Sequence, residues 1–212
     1  MSPEPPYNPL DKKNLGVSVA DALLQREPVR LPPDRFDGAG VYAIYYTGDF
    51  KPYAPIAEAN RENKFLQPVY VGKAVPRGRR KGGIDSNENP GPVLSNRLRR
   101  HANSIGQADN LDLSDFWCRY LVVDDIWIPL GESLLIDRFA PAWNTLIDGF
   151  GNADPGRGRH NQARSRWDVL HPGRPWADNL QPGALTPAEI VELLADDMDQ
   201  AFIDAVSDGI LE

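Results

Sequence analysis

The chain has 212 residues, 41% of them hydrophobic, a formal net charge of -7 and one cysteine, Cys118. That length suits one well-buried core with extensions rather than two full domains, and no apolar run approaches the ~18 residues that would span a bilayer. A single cysteine excludes an internal disulfide and every multi-cysteine zinc site, and the three histidines lack His-x-x-x-His spacing.

The net charge argues against a phosphate-rich partner until its distribution is read. From Lys73 to His101 there are eight Lys or Arg against two acids, and from Pro155 to Pro175 five against one. From Leu185 onward the chain holds eight acids and no Lys or Arg, which accounts for the negative total. Two basic patches are therefore hidden by an acidic tail. A charge run alone is most simply a solvated face, so the motifs must carry the argument.

In chain order, residues 1–35 are proline-rich and weakly periodic, with neither a basic n-region nor an apolar h-region, so an N-terminal arm with a short helix over 17–24 and a cytoplasmic location are expected. The β-branched and aromatic run Gly40-Val-Tyr-Ala-Ile-Tyr-Tyr-Thr47 predicts a strand, and Pro68-Val-Tyr-Val-Gly-Lys73 a second. The polar stretch between them is too long for a tight hairpin and predicts a helix over 56–65. After a Gly/Pro/Arg-rich loop, Leu94, Leu98, Ala102 and Ile105 recur at helical spacing. A third strand is expected over 116–123, then a helix opening at Glu132 and stopped by Pro141. The core order is ββαβα. Residues 148–177 have no periodicity, but Trp143, Trp167 and Trp176 argue for a packed extension rather than disorder. Thr186-Pro-Ala-Glu189 carries helix-start signals before an acidic amphipathic helix marked by Ile190, Leu194 and Met198.

Several residues could carry chemistry, and each alone has an ordinary structural reading. Tyr42 and Tyr70 can face one site if strand register allows; singly, strand tyrosines usually pack their rings. Arg97 and His101 lie four apart on one helical face, where they could equally form a partly buried surface pair. Glu132 precedes the inward residues Leu135, Ile136 and Phe139, a costly place for an unpaired carboxylate, although a first-turn acid also complements the helix dipole.

The joint order of Gly40-Val-Tyr42, Tyr70-Val-Gly-Lys-Ala74, Arg97-Leu-x-x-His101 and Glu132-x-x-Leu-Ile-x-x-x-x-Pro141-x-Trp-Asn144 resembles the GIY-YIG nuclease superfamily, with valine replacing both isoleucines. The branch of type II restriction endonucleases that cut CCGCGG is the most similar, through Tyr45-Tyr-Thr-Gly48, Asn110-Leu-Asp-Leu, Asp148-Gly-Phe-Gly-Asn152 and Trp167-Asp-Val-x-His-Pro-Gly-Arg174. The spacing between the two tripeptides, and that between Ala74 and Leu94, exceeds that of compact members.

The resemblance implies an α+β fold in which a small mixed β-sheet with flanking helices forms the nuclease core, residues 36–150. Insertions 48–67 and 75–93 would contact DNA, and residues 151–212 would form a C-terminal extension with a basic segment and an acidic helix. It implies hydrolysis of double-stranded DNA to 5′-phosphate and 3′-hydroxyl ends, with Mg2+, or alternatively Mn2+, held by Glu132. Tyr42 would be the general base, its phenol lowered from ~10 by nearby positive charge. Arg97 would hold the scissile phosphate, and Tyr70 and His101 would orient water or phosphate. Asn144 would tie the glutamate's helix to the strands, and Lys73 would be a further phosphate contact. Arg77, Arg79, Arg80, Arg157, Arg159, Arg164 and Arg166 are the candidate DNA-binding residues. A palindromic target would suit a homodimer.

Rival readings are a repair or homing nuclease on the same core and a non-catalytic DNA-binding protein. Pro33-Asp34 with Glu62-Asn-Lys64 formally matches a PD-(D/E)xK pattern, but Glu62 falls in a polar run instead of a core strand.

Overall fold

The computed structural model describes residues 8, 10–76 and 90–207, with side chains through 198. Its elements are α1 (Lys12–Leu24), β1 (Val29–Arg30), β2 (Gly40–Tyr46), α2 (Ala54–Asn60), β3 (Tyr70–Ala74), α3 (Val93–Gly106), β4 (Phe116–Val122), α4 (Ile128–Phe139), α5 (Ala142–Thr145), α6 (Arg166–Leu170) and α7 (Pro187–Ser207). The expected ββαβα order is present, with the two-residue β1 added; so short a strand leaves no periodic signal in sequence.

The sheet runs β1-β4-β2-β3, and all its pairings are antiparallel. The fold is α+β as expected, but the sheet is not mixed. β3 and β4 run parallel to each other across the α3 connection, yet β2 lies between them and opposes both, so no parallel pair forms.

All seven residues of β2 are buried because helices cover both sheet faces. Tyr42, Ile44 and Tyr46 face one core with the buried residues of α2, α3 and α7, together with Trp143 and Trp167. Val41, Ala43 and Tyr45 face the other with α1 and α4. α1 lies against α4, burying Ala20 and Leu23, and Asp11 caps it by accepting from Lys13 N at 3.0 Å.

α3 buries the predicted stripe Leu94, Leu98, Ala102 and Ile105. The helix expected over 56–65 is shorter and ends at Asn60, whose buried amide donates to the carbonyls of Tyr46 and Gln67 at 3.0 and 2.8 Å. α4 begins at Ile128 with Pro129 in its first turn, so Glu132 lies in the second turn and the helix-dipole reading loses its basis. α4 ends at Phe139, and its C-terminal cap Ala140 lies in the left-handed region at φ 38°, directly before Pro141. Thr186 and Glu189 form the reciprocal cap that starts α7. Among the described residues, no helix is long and apolar enough to cross a membrane.

Candidate active site

Strand register puts both tyrosines on one face. Tyr42 opposes Gly72 and Ile44 opposes Tyr70, so the phenols are diagonal neighbours with ring centroids 6.2 Å apart. Gly72 makes this possible: a Cβ there would stand 2.5 Å from the Tyr42 hydroxyl. Gly40 has a similar cause, since a Cβ there would strike the Leu121 carbonyl on β4. The glycines of the two tripeptides thus mark close approaches.

α3 crosses the same face and presents Arg97 and His101 from successive turns. Tyr42 Oη lies 2.6 Å from His101 Nε2, and Arg97 Nε donates to Tyr42 Oη at 3.4 Å. Since a guanidinium only donates, the phenol oxygen accepts from Arg97 and is free to direct its own proton at the imidazole. The His101 ring lies 5.2 Å from that of Tyr70 and stacks on Phe150 at 4.5 Å and 19°.

Burial governs the protonation of this group. Tyr42 is fully buried and its phenol is pushed up, first by burial and then by Tyr70, with Arg97 opposing. The expectation of a lowered Tyr42 is therefore reversed: one guanidinium does not outweigh the removal of water. Tyr70 is raised by burial, lowered by Arg97 and raised again by the charge of Glu132. His101 is held well below the usual histidine range by burial, then by Arg97, Arg100 and Arg174. At neutral pH the site holds a protonated phenol against a neutral imidazole.

Glu132 reaches the group from a different direction. α4 packs on the opposite sheet face, where Gly131 sits beside Val19 and Val41. The carboxylate lies at the edge strand β3 and accepts from Lys73 Nζ at 2.6 Å. Lys73 leaves β3 on that same face because its side chain alternates with those of Tyr70 and Gly72. The chain then passes round the free edge of β3. Trp143 N donates to Val69 O at 3.0 Å, and Asn144 clamps Val71 by accepting from its N–H and donating to its C=O, both at 2.8 Å. One side-chain amide thus satisfies a backbone pair that an edge strand leaves open.

Residues 34–198 match the family profile described as the Eco29kI GIY-YIG domain. The chain belongs to this family of GIY-YIG nucleases. A comparison with curated proteins finds no match.

Among the described residues of this GIY-YIG nuclease, no three His, Cys, Asp or Glu side chains cluster into a metal cage. The family generally uses a divalent metal, and the donor set fits a hydrated magnesium-like ion with one carboxylate anchor better than it fits zinc. Glu132 is 19% exposed and already holds an ammonium at 2.6 Å, so its position accepts positive charge and admits water.

The candidate DNA-binding arginines separate into three groups. Arg77, Arg79 and Arg80 lie outside the described residues. Arg157 and Arg159 are exposed on a single helical turn. Arg164 is turned to the extension itself, donating to Ala177 O at 2.9 Å, whereas the exposed Arg166 reaches back to the core and donates to Leu146 O at 2.8 Å. Sequence reasoning missed the outward face of α3, where Asn96, Arg99, Arg100 and Asn103 are exposed and the helix has no acid. It also gave no role to Phe150, Gly151, Asp168, His171 or Arg174, although all five lie in the quoted motifs at fixed places. Their functions depend on contacts that only folding reveals.

Proposed function

We propose that this GIY-YIG nuclease is a type II restriction endonuclease that hydrolyses both strands of double-stranded DNA at a GC-rich palindrome, CCGCGG, leaving 5′-phosphate and 3′-hydroxyl ends. The observation that carries the reading is the Tyr42 hydroxyl held between His101 Nε2 at 2.6 Å and Arg97 Nε at 3.4 Å on the motif face of the sheet.

In this reading Tyr42 relays a proton. The attacking water gives its proton to the phenol oxygen as the phenol's own proton passes to His101 Nε2, so no free phenolate has to form in a buried site. The low proton affinity of His101 keeps Nε2 free to accept at neutral pH. Arg97 donates to the scissile phosphate and offsets charge developing on its oxygens, and Tyr70 orients the phosphate or the water. Mg2+, or Mn2+, held through Glu132 would supply Lewis-acid stabilisation of the phosphate and leaving oxygen. Asn144 keeps β3 and the turn after α4 in register, and Lys73 balances Glu132 and is within the reach of a phosphate at that edge. Arg157 and Arg159, with Arg77, Arg79 and Arg80, are the proposed contacts to phosphates or guanines.

A two-fold homodimer would present two such sites to the two strands of a palindrome. The test is digestion of plasmid DNA by the purified protein with Mg2+, Mn2+ or EDTA, followed by sequencing of the ends. Metal-dependent double-strand breaks within CCGCGG, carrying 5′-phosphates, are expected. No cleavage with either metal would refute the nuclease reading, cuts elsewhere would refute the target, and single-strand nicking by a monomer would refute the paired arrangement.

A further inference from the structure

Arg174 is 1% exposed, within a segment otherwise short of regular structure. Its Nε donates to Asp168 Oδ1 at 2.6 Å, and the paired carboxylate is equally buried. The guanidinium lies between two indoles, 4.4 Å from the Trp167 ring centre and 4.6 Å from that of Trp176. Its remaining donors reach three carbonyls of one short loop: Nη1 to Phe150 O at 3.2 Å and Asn152 O at 3.4 Å, and Nη2 to Gly149 O at 3.1 Å.

A buried ion pair is weak grounds for stability, because desolvating both charges offsets much of their attraction. What this one does is fix geometry. Five planar donors aimed at a carboxylate and three carbonyls leave the loop little freedom.

That loop forms one wall of the candidate active site. Phe150 stacks on His101 and meets Tyr70 edge to face at 4.9 Å. At Gly151 a Cβ would stand 3.0 Å from Arg97 Nη2 and 3.2 Å from Tyr70 Oη. The glycine therefore leaves open the space beside which guanidinium and phenol converge.

We propose that Arg174 and Asp168 are positioning residues for DNA cleavage, holding loop 149–152 so that Phe150 fixes His101 and Gly151 keeps room for a phosphate between Arg97 and Tyr70. This rests on the nuclease reading above. The extension is then part of the catalytic machinery, acting through the loop without touching DNA at the cleavage point. Its guanidinium also joins Arg97 and Arg100 in keeping His101 neutral, while the Tyr42 and Tyr70 hydroxyls are the other titratable groups facing that ring.

Two variants test this, with thermal melting to verify folding. Arg174→Met/Asp168→Asn removes the pair without leaving a lone buried charge, and Gly151→Ala leaves the pair intact and adds one methyl at the wall. Both should cut DNA about 100-fold more slowly in single turnover, the effect typical of a displacement near 1 Å, with DNA affinity within about twofold of wild type. In the double variant the His101 ring, followed by NMR, should titrate at higher pH than in the wild type, whether or not the protein cuts. A folded double variant with unchanged cleavage and unchanged His101 titration overturns the proposal. Wild-type cleavage by folded Gly151→Ala overturns the role given to Gly151 even if the double variant fails to fold. A wild type that never cuts, together with a shifted His101 in the double variant, would overturn the nuclease reading and leave the positioning of His101 standing.

Discussion

Acid should unfold this protein through its buried histidines, and His171 gives the effect a magnitude. Its Nε2 is 2.6 Å from Tyr53 Oη, which also accepts from Trp143 Nε1 at 2.8 Å, and its Nδ1 is 2.9 Å from Asn110 Oδ1. Because the Asn110 oxygen can only accept, His171 carries its proton on Nδ1 and receives the tyrosine's at Nε2. Burial, and then Arg174, lower its pKa from the usual 6.5 to about 3. The unfolded chain therefore binds one more proton than the folded chain between those values, and the histidine's contribution is lost as pH falls from 6.5 towards 3. At about 1.36 kcal/mol per pKa unit, the loss is roughly 2 kcal/mol near pH 5 and about 3 kcal/mol near pH 4, with His101 acting in the same direction. Urea unfolding followed by tryptophan fluorescence, for wild type and His171→Gln, measures it. The variant should be weaker near neutrality, where it loses the hydrogen-bond chain, but its stability should fall about 3 kcal/mol less between pH 7 and pH 4. The carboxylates are common to both proteins, so parallel pH profiles would show that His171 is not held neutral.

Tyr42→Phe should retain the fold and bind DNA within about threefold of wild type while cutting about 1000-fold more slowly, as expected for loss of a general base; rapid-quench cleavage beside a binding assay separates the two effects. Glu132→Gln should abolish cleavage and leave metal-free DNA binding nearly intact, and because Lys73 is 39% exposed, breaking their pair should change stability by less than about 1 kcal/mol. Undiminished cutting by that variant would remove the metal-ligand role. The acid-free outward face of α3 is expected to lie along DNA phosphates, so Arg99→Gln/Arg100→Gln should lower the slope of log affinity against log salt by about 2; an unchanged slope would show that this face only meets water.

Local signals in the sequence were reliable where local interactions decide the structure. The α3 stripe from Leu94 to Ile105, the apolar run of β2 and the Thr186–Glu189 cap each depend on residues within a few positions of one another, and each appears where expected. The start of α4 at Ile128 precedes the expected start at Glu132, because Pro129, which marks the first turn, is the stronger local signal. The raised phenol of Tyr42 was not legible, since its burial depends on Phe150 and α3 meeting over one strand. The loop-holding role of Arg174 was hidden for the same reason: its three carbonyl partners lie 22 to 25 positions earlier in the chain.

The spacing from Glu132 to Asn144 now has a mechanical meaning. Glu132 stands on the α1–α4 side of the sheet, whereas Tyr42, Tyr70, Arg97 and His101 stand on the other, so a phosphate serving both must lie along the margin of β3. The chain makes the same passage: two turns of α4, a left-handed Ala140 and Pro141 carry it round that margin, and Trp143 and Asn144 bond to the strand as it goes by. A shorter connection would pull Asn144 away from Val71, and a longer one would let the carboxylate drift along the edge. The charge of Glu132 still reaches Tyr70, so the strand between the two halves does not isolate them electrically. The edge strand is thus the seam of the proposed site, and its width, one backbone with glycine at position 72, is what would let residues from opposite faces act on one phosphate in the proposed reaction.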